Sequence, residues 1–462
     1  MQSSKGHVTI WLSFSIILLS AGLVSHVLSI PAILDAAGRD GWLSVIAAAP
    51  LFLIFVVLMH VIIKRIRGQR LTDWIALQFG ALPAWLLRLS AALLLFALGT
   101  HTTYETSFWA VTSYLQFTPM SLIVLVGVSI SAIAACMGIR AIATTSGILL
   151  PFVILLGYFV MAANTKYKDY SRLLPMLENG AGPVWGGMIY ALAGMLEIWI
   201  LMFYQHEVKR KFKLWHMLLL AVFMVSITLG PTMSAVTEFG PHEAVKQLSP
   251  PFEQWKLVNL GKLLQHVDFL SIYQWLCGAF ARVAISIYLI VDLLEIRKPR
   301  KRYIAICLVT LAMSGIAMYG WRGDLVYQYV NRIQFPVMLV YVYSVTALLA
   351  LLTIIRRKDK EVTTREGQPS NDGGQQNAAA GEEAAEPAGH TPARTDSSGG
   401  ESGPGGGAAR PADGDGGGDN AASKQGNPAG GNKPGASAKQ SGGNARSGQT
   451  NAGRQGGQGT TT

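Results

Sequence analysis

Ser20-Ala21-Gly22-Leu23-Val24-Ser25-His26, with Ser29 and Pro31 close behind, sits inside an apolar run spanning residues 8–33. The run is long enough to cross a bilayer, yet its middle carries a glycine, hydroxyls and an imidazole. Backbone groups facing lipid must be satisfied within the helix, so a helix gives way only where it lines a protein cavity. A second interrupted run carries Gly186-Gly187 and then Ala193-Gly194 just before Glu197. Interrupted spans at matching positions of two halves point to a binding site near the midplane. Gly22 and Gly194 would otherwise serve only close helix packing. The polar residues beside both glycines favour the site reading.

Further apolar runs give ten expected spans: residues 8–33, 42–63, 84–110, 119–139, 143–163, 184–205, 214–236, 266–292, 303–320 and 333–355. The first lacks the cleavage site of a signal peptide and is too long for one. Spans 1–5 and 6–10 are offset by roughly 175–190 residues, consistent with an inverted repeat. After span 2 comes an amphipathic stretch with Leu71, Trp74, Ile75, Phe79 and Leu82 at helical spacing. After span 7, residues 252–264 repeat the pattern with Phe252, Trp255, Asn259, Leu260 and Leu263. The expected fold is therefore all-α, with ten transmembrane helices as a five-plus-five inverted repeat over residues 1–356.

Composition separates this part from the rest of the 462 residues. Mean hydropathy is +0.34 overall, but residues 357–462 contain no Leu, Ile, Phe, Trp, Tyr or Met and 26 of the 49 glycines. A segment so poor in apolar groups cannot offset the entropy of ordering, so a disordered tail is expected. The tail from Arg356 holds 12 Lys+Arg and 12 Asp+Glu, so the net charge of +11 belongs to the membrane part. Its basic residues cluster at the ends of apolar runs, as topology signals do, and not in a nucleic-acid surface. With the N-terminus inside, the inner segments carry Lys5, the Lys64–Arg70 cluster, Arg140, Lys209–Lys213, Arg297–Arg302 and Arg356–Lys360. Both termini are thus expected on the cytoplasmic side. Cys136, Cys277 and Cys307 lie in apolar runs and read as small core residues.

Ionisable residues inside the spans are few: His26, His101, Glu105, Glu197, Asp268 and Arg282, with Arg88 near an inner end. Glu197 falls near mid-depth, where a charge needs a partner. It could neutralise the amine of a small zwitterion, or pair with His26 or Arg282 as structural glue. His101 and Glu105 share a face at i, i+4, with Tyr104 beside them. Candidate ligand-binding residues are Gly22, Ser25, His26, His101, Tyr104, Gly194 and Glu197. Glu105, Asp268 and Arg282 are candidate gating or structural charges. No Walker loop, HExxH, CxxC or nucleophile elbow is present, so no enzyme, metal site or cofactor is expected.

Several loops carry a family resemblance. Ile30-Pro31-Ala32-Ile33-Leu34-Asp35-Ala36-Ala37-Gly38-Arg39-Asp40-Gly41-Trp42 resembles the first loop of the spore germination permeases, the B subunits of endospore nutrient-germinant receptors. Leu115-Gln116-Phe117-Thr118-Pro119, Asp169-Tyr170 with Leu173–Gly180, and Phe239-Gly240 with Ser249–Phe252 are similar to further loops of that family. His266-Val267-Asp268-Phe269-Leu270 with Trp275 resembles a motif whose first residue is usually arginine; here it is His266. The resemblance covers residues 5–358 and implies the amino acid–polyamine–organocation transporter fold. It also implies a sensing subunit in the spore inner membrane, acting with an A-type membrane subunit and a C-type lipoprotein. The ligand would be a small nutrient such as an amino acid. An ion-coupled secondary transporter of amino acids or related solutes is the alternative, because sensor and transporter can share one site.

Overall fold

The computed structural model describes residues 8–66, 68–259, 267–319 and 323–354, all of them helical or in short connections apart from an isolated bridge between Val8 and Val208. The chain divides into two units at residue 365, and every described residue belongs to the first. Lys5, Arg67, Leu260, Leu263, His266 and the glycine-rich tail lie outside the described residues.

In chain order the helices are α1 (Ile10–Leu23), α2 (Ile30–Ala37), α3 (Gly41–Ile66), α4 (Leu71–Phe79), α5 (Ala81–Ser113), α6 (Met120–Met137), α7 (Ile139–Ala163) and α8 (Gly182–Met195). There follow α9 (Leu201–Tyr204), α10 (Leu214–Phe239), α11 (Pro241–Lys246), α12 (Pro250–Lys256), α13 (Leu270–Leu293), α14 (Pro299–Ala317), α15 (Gly323–Tyr329) and α16 (Phe335–Ile354). Among the described residues, eight helical runs are long and apolar enough to cross a membrane, which makes this an integral membrane protein. The first run, Ile10–Ile66, has 57 residues. As one rod that would be roughly 85 Å of helix, nearly three times a hydrocarbon core. It is instead folded at Gly38, whose φ of 53° suits glycine, and continues as α3. The helix of the expected ninth span, α14, opens with Arg300, Lys301 and Arg302 and is not among the eight.

Proline explains two of the irregular turns. Pro31 has no N–H for the carbonyl of Val27 four residues earlier, and Pro336 likewise deprives Arg332. Both carbonyls lie in π-helical turns, Val24–Leu28 and Val330–Gln334, where the ladder has slipped to i→i+5. Ser29 N–H, for example, reaches Val24 O at 2.8 Å. The break therefore begins at Val24, and Gly22 lies in regular helix. The tightened 3₁₀ turn Leu196–Ile200 between α8 and α9 has no proline behind it and carries Glu197.

The amphipathic stretch after span 2 forms α4, burying Leu71, Thr72, Trp74 and Ile75. Its expected counterpart is shorter than its pattern suggested. Helix α12 ends at Lys256, so Asn259 is outside it, while Phe252, Gln254 and Trp255 are buried.

The centre of the bundle is α13. Ala281 through Val291 are all buried, as an all-round apolar helix requires. It packs against α1, α5, α6, α7 and α14. Gly278 permits the contact with α1: a Cβ there would stand 2.9 Å from Leu23 Cβ and 3.1 Å from Leu19 O. Gly278→Val should therefore lower thermal stability in detergent by about 1–3 kcal/mol through overpacking. Gly127→Ala, with nothing within 4 Å of its added Cβ, should leave the unfolding temperature unchanged. Equal effects of the two would mean that the α1–α13 approach is not tight.

Candidate functional site

A buried ion pair lies at the centre of the bundle. Arg282, halfway along α13, donates from Nε to Glu197 Oε1 at 2.6 Å. Both are almost wholly enclosed, Arg282 at 1% and Glu197 at 2% exposure. A second guanidinium N–H goes to Thr102 Oγ1 on α5. The Thr102 hydroxyl in turn donates to Leu98 O at 3.0 Å. The chain Leu98–Thr102–Arg282–Glu197 thus ties α5, α13 and the 3₁₀ turn together. Its far end is open: Glu197 Oε2 has no hydrogen-bond partner.

Packed against α8, which leads into that turn, is the π-turn after α1. A Cβ on Gly194 would meet Ser29 Oγ at 3.0 Å and the backbone of Ser25 at 3.3 Å. Gly194, in the last turn of α8, therefore permits a close approach between α8 and the segment Ser25–Ser29, whereas a Cβ on Gly22 would make only ordinary contact with Ile227 at 3.6 Å. Ser20 and Ser25 are fully buried, and neither hydroxyl has a partner. Three unsatisfied buried oxygens, Ser20 Oγ, Ser25 Oγ and Glu197 Oε2, thus belong to the two interrupted spans. Buried polar groups in proteins are nearly always paired, and further unpaired ones here include Thr100 Oγ1, Ser146 Oγ and Trp199 Nε1.

The remaining candidates are placed separately. His26 points its Nδ1 at Ile227 O on α10, 3.0 Å away, and is not the partner of Glu197. His101 Nδ1 lies 3.0 Å from Gln334 Nε2, in the third irregular turn, and His101 Nε2 lies 3.6 Å from Glu105 Oε1. Tyr104 stacks on Phe108 with ring centroids 5.7 Å apart. Asp268 joins a different cluster, with Tyr114 Oη 2.8 Å from its carbonyl and 3.0 Å from its Oδ2. Nearby, Trp275 stacks on Trp109 at 4.2 Å and donates to Thr106 Oγ1 at 3.2 Å. Among the described residues no group of three or more His, Cys, Asp or Glu could hold a metal ion.

Thr102 and Gln334 were not among the expected site residues. The run Thr100-His101-Thr102-Thr103 and the polar Asn331-Arg332-Ile333-Gln334 just ahead of Pro336 were the signals. At one mouth of the bundle, two of the motif loops meet. The buried Asp40 carboxylate accepts the Leu177 N–H at 3.1–3.2 Å, and Arg39 pairs with Glu178 at 2.6 Å. Next in that loop, the Ser171 O–H and N–H hold the Asp169 carboxyl below the usual range.

Comparison with known proteins gives three results. The family described as "Spore germination protein" matches residues 8–319. Spore germination protein XB of Bacillus anthracis is 37% identical over 345 residues, covering 74% of this chain and 96% of that protein. Among solved structures, Mhp1, a nucleobase-cation-symport-1 family transporter in a closed conformation with bromovinylhydantoin bound, is 18% identical. The match covers 76% of this chain and 78% of Mhp1, with a TM-score of 0.49.

The buried pair makes a prediction about stability. Glu197→Gln leaves the Arg282 charge enclosed without a counter-charge and should cost about 3–5 kcal/mol in unfolding free energy. The double variant Glu197→Leu with Arg282→Met removes both charges and should recover most of that loss. Thermal unfolding in detergent measures both. A double variant no more stable than the single one would show that the two charges are not each other's partners.

Proposed function

The chain belongs to the spore germination protein family, and from that membership we propose that it is the nutrient-sensing subunit of a germinant receptor. The single observation that carries the binding part is the set of unsatisfied oxygens where the two interrupted spans meet. Ser25 and Glu197 offer a hydroxyl and a carboxylate oxygen to a polar solute, and Gly194 lets the end of α8 approach the π-turn closely. A small nutrient with an amine, such as an amino acid, fits that chemistry: Glu197 Oε2 receives the ammonium group and Ser25 adds a hydrogen bond.

In this reading the transporter-like domain has ten crossings as a five-plus-five inverted repeat, with both termini cytoplasmic. Gly22, His26, His101 and Tyr104, which stand apart from these oxygens, are kept as further candidate ligand-binding residues, while Arg282, Glu105 and Asp268 are structural or gating charges. Ligand binding favours one of two arrangements of the irregular turns, and contacts with an A-type membrane subunit and a C-type lipoprotein in the spore inner membrane pass the shift on. The second reading, ion-coupled transport, draws on the same atom. A carboxylate oxygen without a hydrogen-bond partner suits a cation as well as an amine.

Ser25→Ala tests the proposal with little risk to folding, because the hydroxyl it removes satisfies nothing. Spores carrying it should need about tenfold more nutrient for half-maximal germination, the worth of one hydrogen bond to a charged group. Unchanged nutrient dependence in both Ser25→Ala and Ser20→Ala would remove the site from this place. Solute accumulation by the purified protein in liposomes, driven by an ion gradient, would favour the transport reading.

A further inference from the structure

A second set of charges occupies the end of the bundle where α4, the start of α5, the end of α13 and the start of α14 come together. Its members alternate in sign. Arg88 on α5 bridges Asp73 of α4 at 3.1 Å and Glu295 at 2.7 Å, and Glu295 also faces Arg297 at 3.6 Å. Beside them, Asp292 at the end of α13 lies 3.1 Å from Arg70 and 3.8 Å from Arg302. The C-terminal end of α13 with the residues just after it, on one side, and the short helix α4, on the other, are thus fastened by side-chain charge. Arg70, Asp73, Asp292, Glu295, Arg297 and Arg302 line a cavity of about 410 Å³, with Arg88 outside its lining.

We infer that this chain of charges is a latch closing the basic end of the bundle, with Arg88 as the residue that holds it. Three observations distinguish it from the pair at the centre. The first is hydration. Glu197 and Arg282 have side chains only 3% and 1% exposed, so separating them strands two charges. In the latch, the Asp73 and Glu295 side chains are 37% and 29% exposed, so water takes over their carboxylates when they let go, while Arg88, 6% exposed, stays enclosed. The second is backbone strain. Glu295 follows α13 with φ of 54°, where glycine is the favoured residue. A glutamate held in that conformation owes its place to its side-chain partners, and Arg88 is the nearest. The third is that Arg88 itself is buried, at 5% exposure, with Nε still unpaired. It is the fixed member, and its partners are the movable ones.

Behind the latch lies Thr72, 7% exposed, next to a small pocket it shares with Arg70, Phe203, His206 and Asp292. An open latch would admit water there. Such an opening gives the transporter-like domain its second arrangement, so the inference rests on the two-state reading of function. The two are tested by different measurements.

Thr72→Cys, in a chain with Cys136, Cys277 and Cys307 replaced by serine, reports directly on this end. The probe is a membrane-impermeant maleimide added to inside-out vesicles. The otherwise unaltered reporter should label slowly. Adding Arg88→Gln or Glu295→Gly should speed labelling about tenfold or more, as expected when a minor open state becomes common. Glu295→Gly should also keep its melting temperature, because glycine removes the backbone strain while the carboxylate is lost. It therefore decides the matter even if Arg88→Gln fails to accumulate. Unchanged labelling in Glu295→Gly overturns the latch, and so does fast labelling of the reporter alone. An altered nutrient response in Ser25→Ala with unchanged Glu295→Gly labelling would sink the latch and leave the pocket. Faster labelling with a normal Ser25→Ala response would do the reverse.

Discussion

The guanidinium of Arg282 is the constraint to which the rest of the centre answers. It sits halfway along a helix buried on every side from Ala281 to Val291, so it cannot reach water by extending along the surface. Removing an ion from water costs roughly several kcal/mol even after relaxation, and only a close counter-charge with further hydrogen bonds offsets it. Glu197 and Thr102 provide these, one from the 3₁₀ turn after α8 and one from α5. The pairing fixes where that turn must lie relative to α13. Gly194, two residues ahead of the turn in α8, then sets the π-turn of α1 against that helix. The polar centre is thus positioned by one cation, and the two unpaired serines and the free carboxylate oxygen are what that positioning leaves over.

Much of this was legible in the sequence for a simple reason. A charge in the middle of an apolar run is conspicuous, and Glu197 and Arg282 stand out in theirs. The interrupted character of the first span could be read from Gly22, Ser25 and Pro31 together, but its position could not be assigned to the glycine. Proline decided it, because the missing N–H at Pro31 frees the carbonyl of Val27, and the ladder adjusts around that atom. The same argument applied to Pro336 would have found the third irregular turn and with it Gln334. Which of His26 and Arg282 would pair with Glu197 was not legible. Helix spacing says which residues share a face, and a contact between helices far apart in sequence depends on rotation and depth set by packing. The latch was hidden for a related reason. Arg70 and Arg302 read as topology signals and Arg88 as an ionisable residue near an inner end, and nothing in their local pattern shows that carboxylates more than 200 residues away lie opposite Arg70 and Arg88.

The two charged centres follow different physics, and the difference suits different work. The central pair is dry, so its geometry is nearly obligatory and it serves as a fixed point. The latch is wet on its carboxylate side, so Asp73 and Glu295 can exchange Arg88 for water while Arg88 itself stays enclosed. A protein that must alternate between arrangements needs both kinds: an anchor that stays paired in each state and fastenings that release cheaply.

The far mouth has a third kind of fastening. There the carboxylate of Asp40, 4% exposed, accepts the backbone N–H of Leu177, whose φ of 57° is unusual for a residue with a side chain. A buried carboxylate needs donors, and this loop turns its backbone to supply one. Arg39 and Glu178 repeat the link between the same two segments one residue away on each. Two sequence motifs some 135 residues apart are therefore parts of one structure, a cap over the corner between α2 and α3. That corner leads directly down α2 to Ser29 and the π-turn, so any movement of the central turns must either carry the cap with it or work against its hydrogen bonds.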